Sequence, residues 1–430
     1  MLQLFGSGLI SFWLDMAGVE VKQSDVLELL VQSSPGLVLA PDPNPAATTI
    51  VQQYLKQLEA LGLVTANQGI WIQSGPVLLA NHQGTVPLPA ASLTKIATSL
   101  AALKTWGPNH QFETLISATG PIRNGVLQGD LIVQGSGDPF FVWEEAIALA
   151  NSLNQLGIKR VSGDLVIAGN FAMNYKSNPA VAGQLLKQGL EQVYSSAATQ
   201  YLNLPQGTPR LRVVISGSVQ VATFPIPKKI LLLRHWSLPL AQIVKEMNIY
   251  SNNEMAEMLA QSLGGAMLVQ QQAAIAAGVP QSEIQLVNGS GLGVENRISP
   301  RAVCAMFVAI QRALLPHQMS VADLFPVAGR DRRGTLETRR LPFATVSKTG
   351  TLQDVSALAG VMPTRDRGLV WFTIINRGTD LEGFRARQDR LLQRLLQQLQ
   401  ASPVLPSLIP RRSSSNQLGA SERNQIFYRS

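Results

Sequence analysis

Cysteine is almost absent. Cys304 stands alone among 430 residues, so the chain can close no internal disulfide and carries no Cys-x-x-Cys redox or zinc motif. The count therefore says nothing about compartment. Val303, Met306 and Phe307 surround Cys304 at helical spacing, and a buried, inert side chain is expected there. Histidine is scarce too: His82, His110, His235 and His317 are the full set, none in a His-Glu-x-x-His or related ligand spacing, so no metal or other cofactor is expected. A Gly-x-Ser-x-Gly elbow is missing, which removes the α/β-hydrolase reading. Charged residues make up only 14% against 46% hydrophobic, too apolar for a disordered chain. The net charge of +8 would suit an anionic partner, but the excess is spread out apart from Arg330/Arg332/Arg333, Arg339/Arg340 and Arg411/Arg412. With no nucleic-acid-binding signature beside it, no nucleic-acid partner is expected, while contact with a membrane surface stays open.

Long apolar runs are lacking as well. Leu4 to Val19 is a weak form of a signal or anchor segment, without Lys or Arg before Lys22 and interrupted by Asp15. Glycine (35) and proline (25) are near average, and nothing repeats at a fixed period, which excludes collagen-like and solenoid architectures.

A chain of this length can bury a large core, divided into two or three subdomains. Asn44 to Gly62 has Ile50, Val51, Tyr54, Leu55, Leu58 and Leu61 at helical spacing, and Gly69 to Ala80 reads as two strands joined at Gly75-Pro76. A helix is expected from Ser92 to about Trp106. Residues 116–233 alternate β-branched runs with Gly-Asp, Gly-Asn and Asn-Gly turns and are expected to form a β-rich insert. Helices resume over Leu238 to Met247, Glu254 to Leu263 and Pro300 to Ala313. Three strands follow (Ala344 to Lys348, Ala357 to Met362, Leu369 to Asn376), then a closing helix from Phe384 to Leu399. The division expected is an N-terminal segment 1–40, an α+β domain built from 41–115 and 234–400, the insert 116–233, and a disordered Pro/Ser/Arg/Asn-rich tail 401–430.

Three short polar elements carry chemistry. Ser92-Leu93-Thr94-Lys95 opens an apolar helix, and residues three apart share a face, so the hydroxyl and the amine can meet. A lysine can take a serine's proton only if burial lowers its pKa. Alone, the pair reads as an N-cap and a solvated lysine. Ser251-Asn252-Asn253 offers a second hydroxyl to relay a proton to a leaving group and an amide to grip a carbonyl. Alone it reads as a capping box of Ser251 with Glu254. Lys348-Thr349-Gly350-Thr351 leaves a strand, with a cation and a hydroxyl for a terminal carboxylate, a glycine for close backbone approach, and an edge on which an extended peptide can pair. The N–H groups of Ser92 and Thr351 could then form an oxyanion hole.

In this order and on these elements, the three resemble the Ser-x-x-Lys, Ser-x-Asn and Lys-Thr-Gly set of penicillin-binding proteins and serine β-lactamases. From about residue 45 to 400 the chain is similar to the high-molecular-size D-alanyl-D-alanine carboxypeptidase/endopeptidase family, peptidase family S13 of the DacB type. Leu88-Pro89-Ala90-Ala91-Ser92, Gly129 to Pro139, Asn288-Gly289-Ser290-Gly291-Leu292, Asn296-Arg297-Ile298-Ser299, Val327-Ala328-Gly329 and Gly334-Thr335-Leu336 look like its further signatures. Asn288 stands where many relatives have Asp.

The resemblance implies a penicillin-binding, serine β-lactamase-like α+β fold with an inserted domain. It implies cleavage of D-Ala-D-Ala peptidoglycan stem peptides, or of crosslinks, through an acyl-enzyme, with β-lactams as covalent inhibitors and a periplasmic or cell-envelope location. Carried over residue by residue, Ser92 is the nucleophile and Lys95 its base. Ser251, Asn253 and Lys348 complete the catalytic set, and Thr349, Gly350 and Thr351 bind substrate. The competing readings are a non-catalytic penicillin-binding sensor or wall anchor, and a serine β-lactamase.

Overall fold

The structure, a computed structural model, describes residues 40–42, 45–193, 202–222, 228–402 and 417–428. The expected signal or anchor segment and residues 403–416 of the expected tail lie outside the described residues. No helix among the described residues is long and apolar enough to cross a membrane.

The chain enters through helix α1 (Ala46–Glu59), strands β1 (Gly69–Ser74) and β2 (Val77–His82), and helix α2 (Thr94–Trp106). It then leaves for a second body: β3 (Glu113–Ala118), β4 (Leu131–Ser136), α3 (Trp143–Gln155), β5 (Leu165–Asn170), α4 (Pro179–Glu191) and β6 (Ile230–Trp236). It returns with α5 (Leu240–Tyr250), α6 (Asn253–Ser262), α7 (Ala266–Ala277) and α8 (Pro300–Leu314). Strands β7 (Val346–Leu352), β8 (Val355–Thr364) and β9 (Gly368–Arg377) and helix α9 (Leu381–Leu399) follow. A last strand, β10 (Asn424–Ile426), is separate.

The first body is one sheet between two helical layers. From the two-residue strand Ala40–Pro41 inward, its order is β2, β1, β9, β8, β7, so β7 is an edge strand. Every residue of β8 is buried, as expected of a strand covered on both faces. The period of two divides them: Val355, Ala357, Ala359 and Val361 join the core around α2 and α8, whereas Leu358 and Met362 join the core under α1 and α9. Helix α2 is central, with every residue from Thr94 to Leu103 buried. Cys304 on α8 is buried, its thiol 3.2 Å from Thr373 Oγ1.

The second body differs from the β-rich expectation. Its six-stranded sheet (Val219–Val221, β5, β4, β3, β6, β10) is mixed, with β4 parallel to β5 and β5 parallel to Val219–Val221. Parallel neighbours need crossovers, and α3 and α4 supply them. Ile147, Leu149 and Leu153 of α3 are buried. At α4 the Asn178 side chain accepts from the N–H groups of Ala180 and Val181, with Pro179 at the first helical position.

The tail is a second correction, because residues 417–428 are ordered against this insert. β10 pairs antiparallel with β6, Leu233 opposite Ile426. Arg423 reaches the buried Glu145 at 2.5 Å and donates to Trp236 O at 3.0 Å. Asn424 donates to Ser152 Oγ at 2.9 Å and lies 2.7 Å from His235 Nδ1. A polar composition suggested disorder, but the polar residues are those that satisfy buried groups of α3 and β6.

Candidate active site

All three sequence elements meet beside the free edge of β7. Ser92 lies in a single 3-10 turn, Ala91–Leu93, that runs into α2. The residue before it, Ala91, has φ +49°, a left-handed conformation that non-glycine residues rarely adopt. That kink turns the chain from the strand Leu88–Pro89 into the helix and leaves Ser92 only half-buried among buried neighbours.

Two glycine-bearing segments press on this turn. A Cβ on Gly350 would stand 2.9 Å from Ala90 O and 3.1 Å from Ser92 N, and one on Gly291 (φ +84°) would collide with Ala91 O at 1.9 Å. Gly350 thus lets the edge strand approach the turn that carries Ser92, beyond the substrate approach expected of it.

Lys95 is fully buried, and its ammonium nitrogen lies 3.0 Å from Ser92 Oγ, 2.7 Å from Asn253 Oδ1 and 2.7 Å from the Ser290 carbonyl oxygen. Burial pulls its pKa from the ordinary lysine value down to about 7, against the opposing pull of the Glu257 and Glu254 carboxylates. Lys348, on β7, is also fully buried, and it donates to Ser251 Oγ and to the Thr349 carbonyl, each at 2.8 Å. Burial first, and then the charge of Lys95, hold its pKa well below the ordinary range.

Ser251 directly follows the last residue of α5 and takes a left-handed conformation, with φ +54°. A capping box of Ser251 with Glu254, the alternative reading of this segment, is not what caps α6: Asn252 takes that place, its Oδ1 accepting from Met255 N at 2.9 Å. The Ser251 hydroxyl is thereby left to Lys348.

The edge is open where it matters. Ser347 N donates away from β8 to Pro326 O at 3.0 Å, and the two-residue alternation of a strand sends the N–H groups of Thr349 and Thr351 to the same outer side. Ser92 N–H belongs to the first turn of its helix, where no intrahelical acceptor exists. Thr351 is exposed, and its Oγ1 accepts from Arg385 at 3.1 Å.

One contributor was not singled out from the sequence. Glu257, four residues after Asn253 on the same face of α6, accepts from Gly289 N at 3.0 Å and Ser290 N at 2.9 Å. It holds the loop whose carbonyl holds Lys95. The i, i+4 spacing of Asn253 and Glu257 was the available signal.

A buried lysine against a serine, a second serine against a second lysine, and an open strand edge are the parts of a serine acyl-transfer site. The model of the D-Ala-D-Ala carboxypeptidase 3 (S13) family matches residues 48–181 and 208–398. The chain belongs to that family. S13 members are serine peptidases, hydrolases that pass through an acyl-enzyme. The chain is 25% identical over 394 residues to D-alanyl-D-alanine carboxypeptidase DacB of Haemophilus influenzae, covering 68% of this chain and 80% of that one. Among solved structures, a penicillin G-acylated predatory endopeptidase of Bdellovibrio bacteriovorus aligns with a TM-score of 0.72 at 19% identity, over 84% of this chain and 99% of that one. Penicillin-binding protein 4 of H. influenzae aligns with a TM-score of 0.59 at 22% identity, over 81% of this chain and 99% of that one. These structural likenesses show the penicillin-binding, serine β-lactamase-like α+β fold.

Proposed function

We propose that this S13 protein removes the terminal D-alanine from peptidoglycan stem peptides ending in D-Ala-D-Ala, with Ser92 as nucleophile. The observation that carries the reading is the Ser92–Lys95–Asn253–Ser290 cluster, where a fully buried lysine with a pKa near 7 touches the serine hydroxyl. Neutral Lys95 takes the Ser92 proton as Oγ attacks the penultimate D-Ala carbonyl carbon. The N–H groups of Ser92 and Thr351 receive the oxyanion. Ser251, bonded to Lys348, relays the proton taken up by Lys95 to the departing D-alanine amine as the peptide bond breaks, which leaves Lys95 neutral and Ser251 a hydroxyl again. Water then cleaves the Ser92 ester, releasing the shortened peptide and restoring the hydroxyl. Thr349 and Gly350 line the edge along which the peptide extends. β-Lactams follow the same first step and stay attached to Ser92. Such a substrate lies outside the cytoplasm, so the cell envelope is the assigned place of action.

Both oxygens of Glu257 already serve the Gly289 and Ser290 N–H groups, which argues against its use as the water-activating base of a β-lactamase. A sensor needs no such complete proton circuit. The test is incubation with a D-Ala-D-Ala-terminated wall peptide and with a labelled penicillin, comparing wild type with Ser92→Ala. D-alanine release and covalent label are both expected, and both should vanish in the variant. Label without release would replace the peptidase by a sensor, and absence of both would end the proposal.

A further inference from the structure

Lys348 is poorly placed to attract a carboxylate by itself. Its amine is fully buried and spends bonds on Ser251 Oγ and the Thr349 carbonyl. A second cation stands one residue beyond Gly350, where the Arg385 guanidinium donates to Thr351 Oγ1 at 3.1 Å. Helix stability does not explain that cation, because Arg385 lies near the N-terminus of α9, directly after its first turn, the end that favours negative charge. Its ion pair with Glu382 does not explain it either: the Glu382 side chain is 84% exposed, and such surface pairs contribute little. Arg385 itself is about one-third exposed, so its fork is held at the site mouth yet open to a ligand.

We propose that Arg385 is a specificity residue, which with Thr349 and Thr351 receives the free α-carboxylate of the departing residue. A planar guanidinium matches a carboxylate with two parallel N–H donors, which a buried ammonium cannot do. The substrate class is then peptides with a free carboxylate at the residue released, as in carboxypeptidase action, in preference to crosslinks where that carboxylate is amidated or displaced. This rests on the peptidase reading above.

The experiment compares one wall peptide ending in D-Ala-D-Ala with the same peptide ending in D-Ala-D-Ala carboxamide, in wild type, Arg385→Gln and Arg385→Lys. The readout is the ratio of kcat/KM for acid over amide. Wild type should favour the acid, and Arg385→Gln should lower the ratio about tenfold or more, as loss of a charge-assisted pair predicts. Arg385→Lys, which keeps the charge without the fork, should fall between. An unchanged ratio in Arg385→Gln, including a parallel fall on both peptides, overturns the inference while leaving the peptidase reading intact. No release from the acid by wild type overturns that reading and this one together.

Discussion

The pH dependence of Ser92 acylation tests the base directly. Only neutral Lys95 can take the serine proton, so the second-order rate with a fluorescent penicillin should follow the neutral fraction of Lys95. With its pKa at about 7, acylation should reach roughly half its plateau at pH 7, about a tenth at pH 6 and about a hundredth at pH 5. An ordinary lysine, with a pKa of about 10.4, would leave on the order of one molecule in two thousand competent at pH 7. The charged groups bearing on Lys95 are Glu257 and Glu254 from α6, which favour its protonated form, and Lys348 from β7, whose own pKa Lys95 lowers. Glu257→Gln removes the first of these, so the midpoint should move to lower pH. It should also slow the plateau rate, since one amide oxygen replaces a carboxylate that accepts both Gly289 and Ser290 N–H groups. The assay is quenched-flow labelling read on denaturing gels from pH 5 to 9, with wild type and variant side by side. A flat wild-type profile, or a midpoint near 10, would remove Lys95 from the role; an unmoved midpoint in Glu257→Gln would remove the coupling.

Lys95→Met should abolish labelling and raise stability in urea. Because the folded-state pKa of Lys95 lies below its unfolded value, the unfolded chain binds more protons between about pH 7 and 10.5, so wild type gains stability as pH rises and the advantage of the variant should shrink. An advantage that grows with pH would contradict the burial argument. Gly350→Ala puts a methyl group 2.9 Å from Ala90 O; acylation should fall about a hundredfold through displacement of the nucleophile turn, with about 1–3 kcal/mol of stability lost, and wild-type rates would show that the contact is slack. Ending the chain after Ala401 strips Arg423 from the buried Glu145 and should cost roughly 3–5 kcal/mol, visible as a lower urea midpoint; an unchanged midpoint would restore the disordered tail.

The meeting of Ser92 and Lys95 was legible because short-range geometry carries it: residues three apart share a helical face whatever the rest of the chain does. The fold around β8 was legible for a similar reason, since a strand buried on both faces reads as an apolar run. Long-range partners were not legible. Nothing local says that the Ser290 carbonyl will meet Lys95, or that Glu257 will hold its loop. The alternative of Ser251 as a cap fails because Asn252, one position on, takes that role, and the left-handed turn at Ser251 decides between them. In the insert, turn dipeptides outweighed the helical spacing of Leu149 and Leu153, and α3 and α4 were missed. The tail failed for the opposite reason: polar residues look solvated until Glu145 and His235 are known to be buried and waiting for them.

The partners of Lys95 lie 3, 158 and 195 residues away along the chain. Until those distant segments close around it, the amine is an ordinary solvated ammonium and Ser92 an unreactive alcohol, so on the proposed mechanism a partly folded molecule has no nucleophile to misuse. Penicillin labelling of this protein is consequently a clock for folding: the label should enter only with the last cooperative step, and its rate of appearance during refolding should report native contacts that spectroscopic probes of helix content see too early.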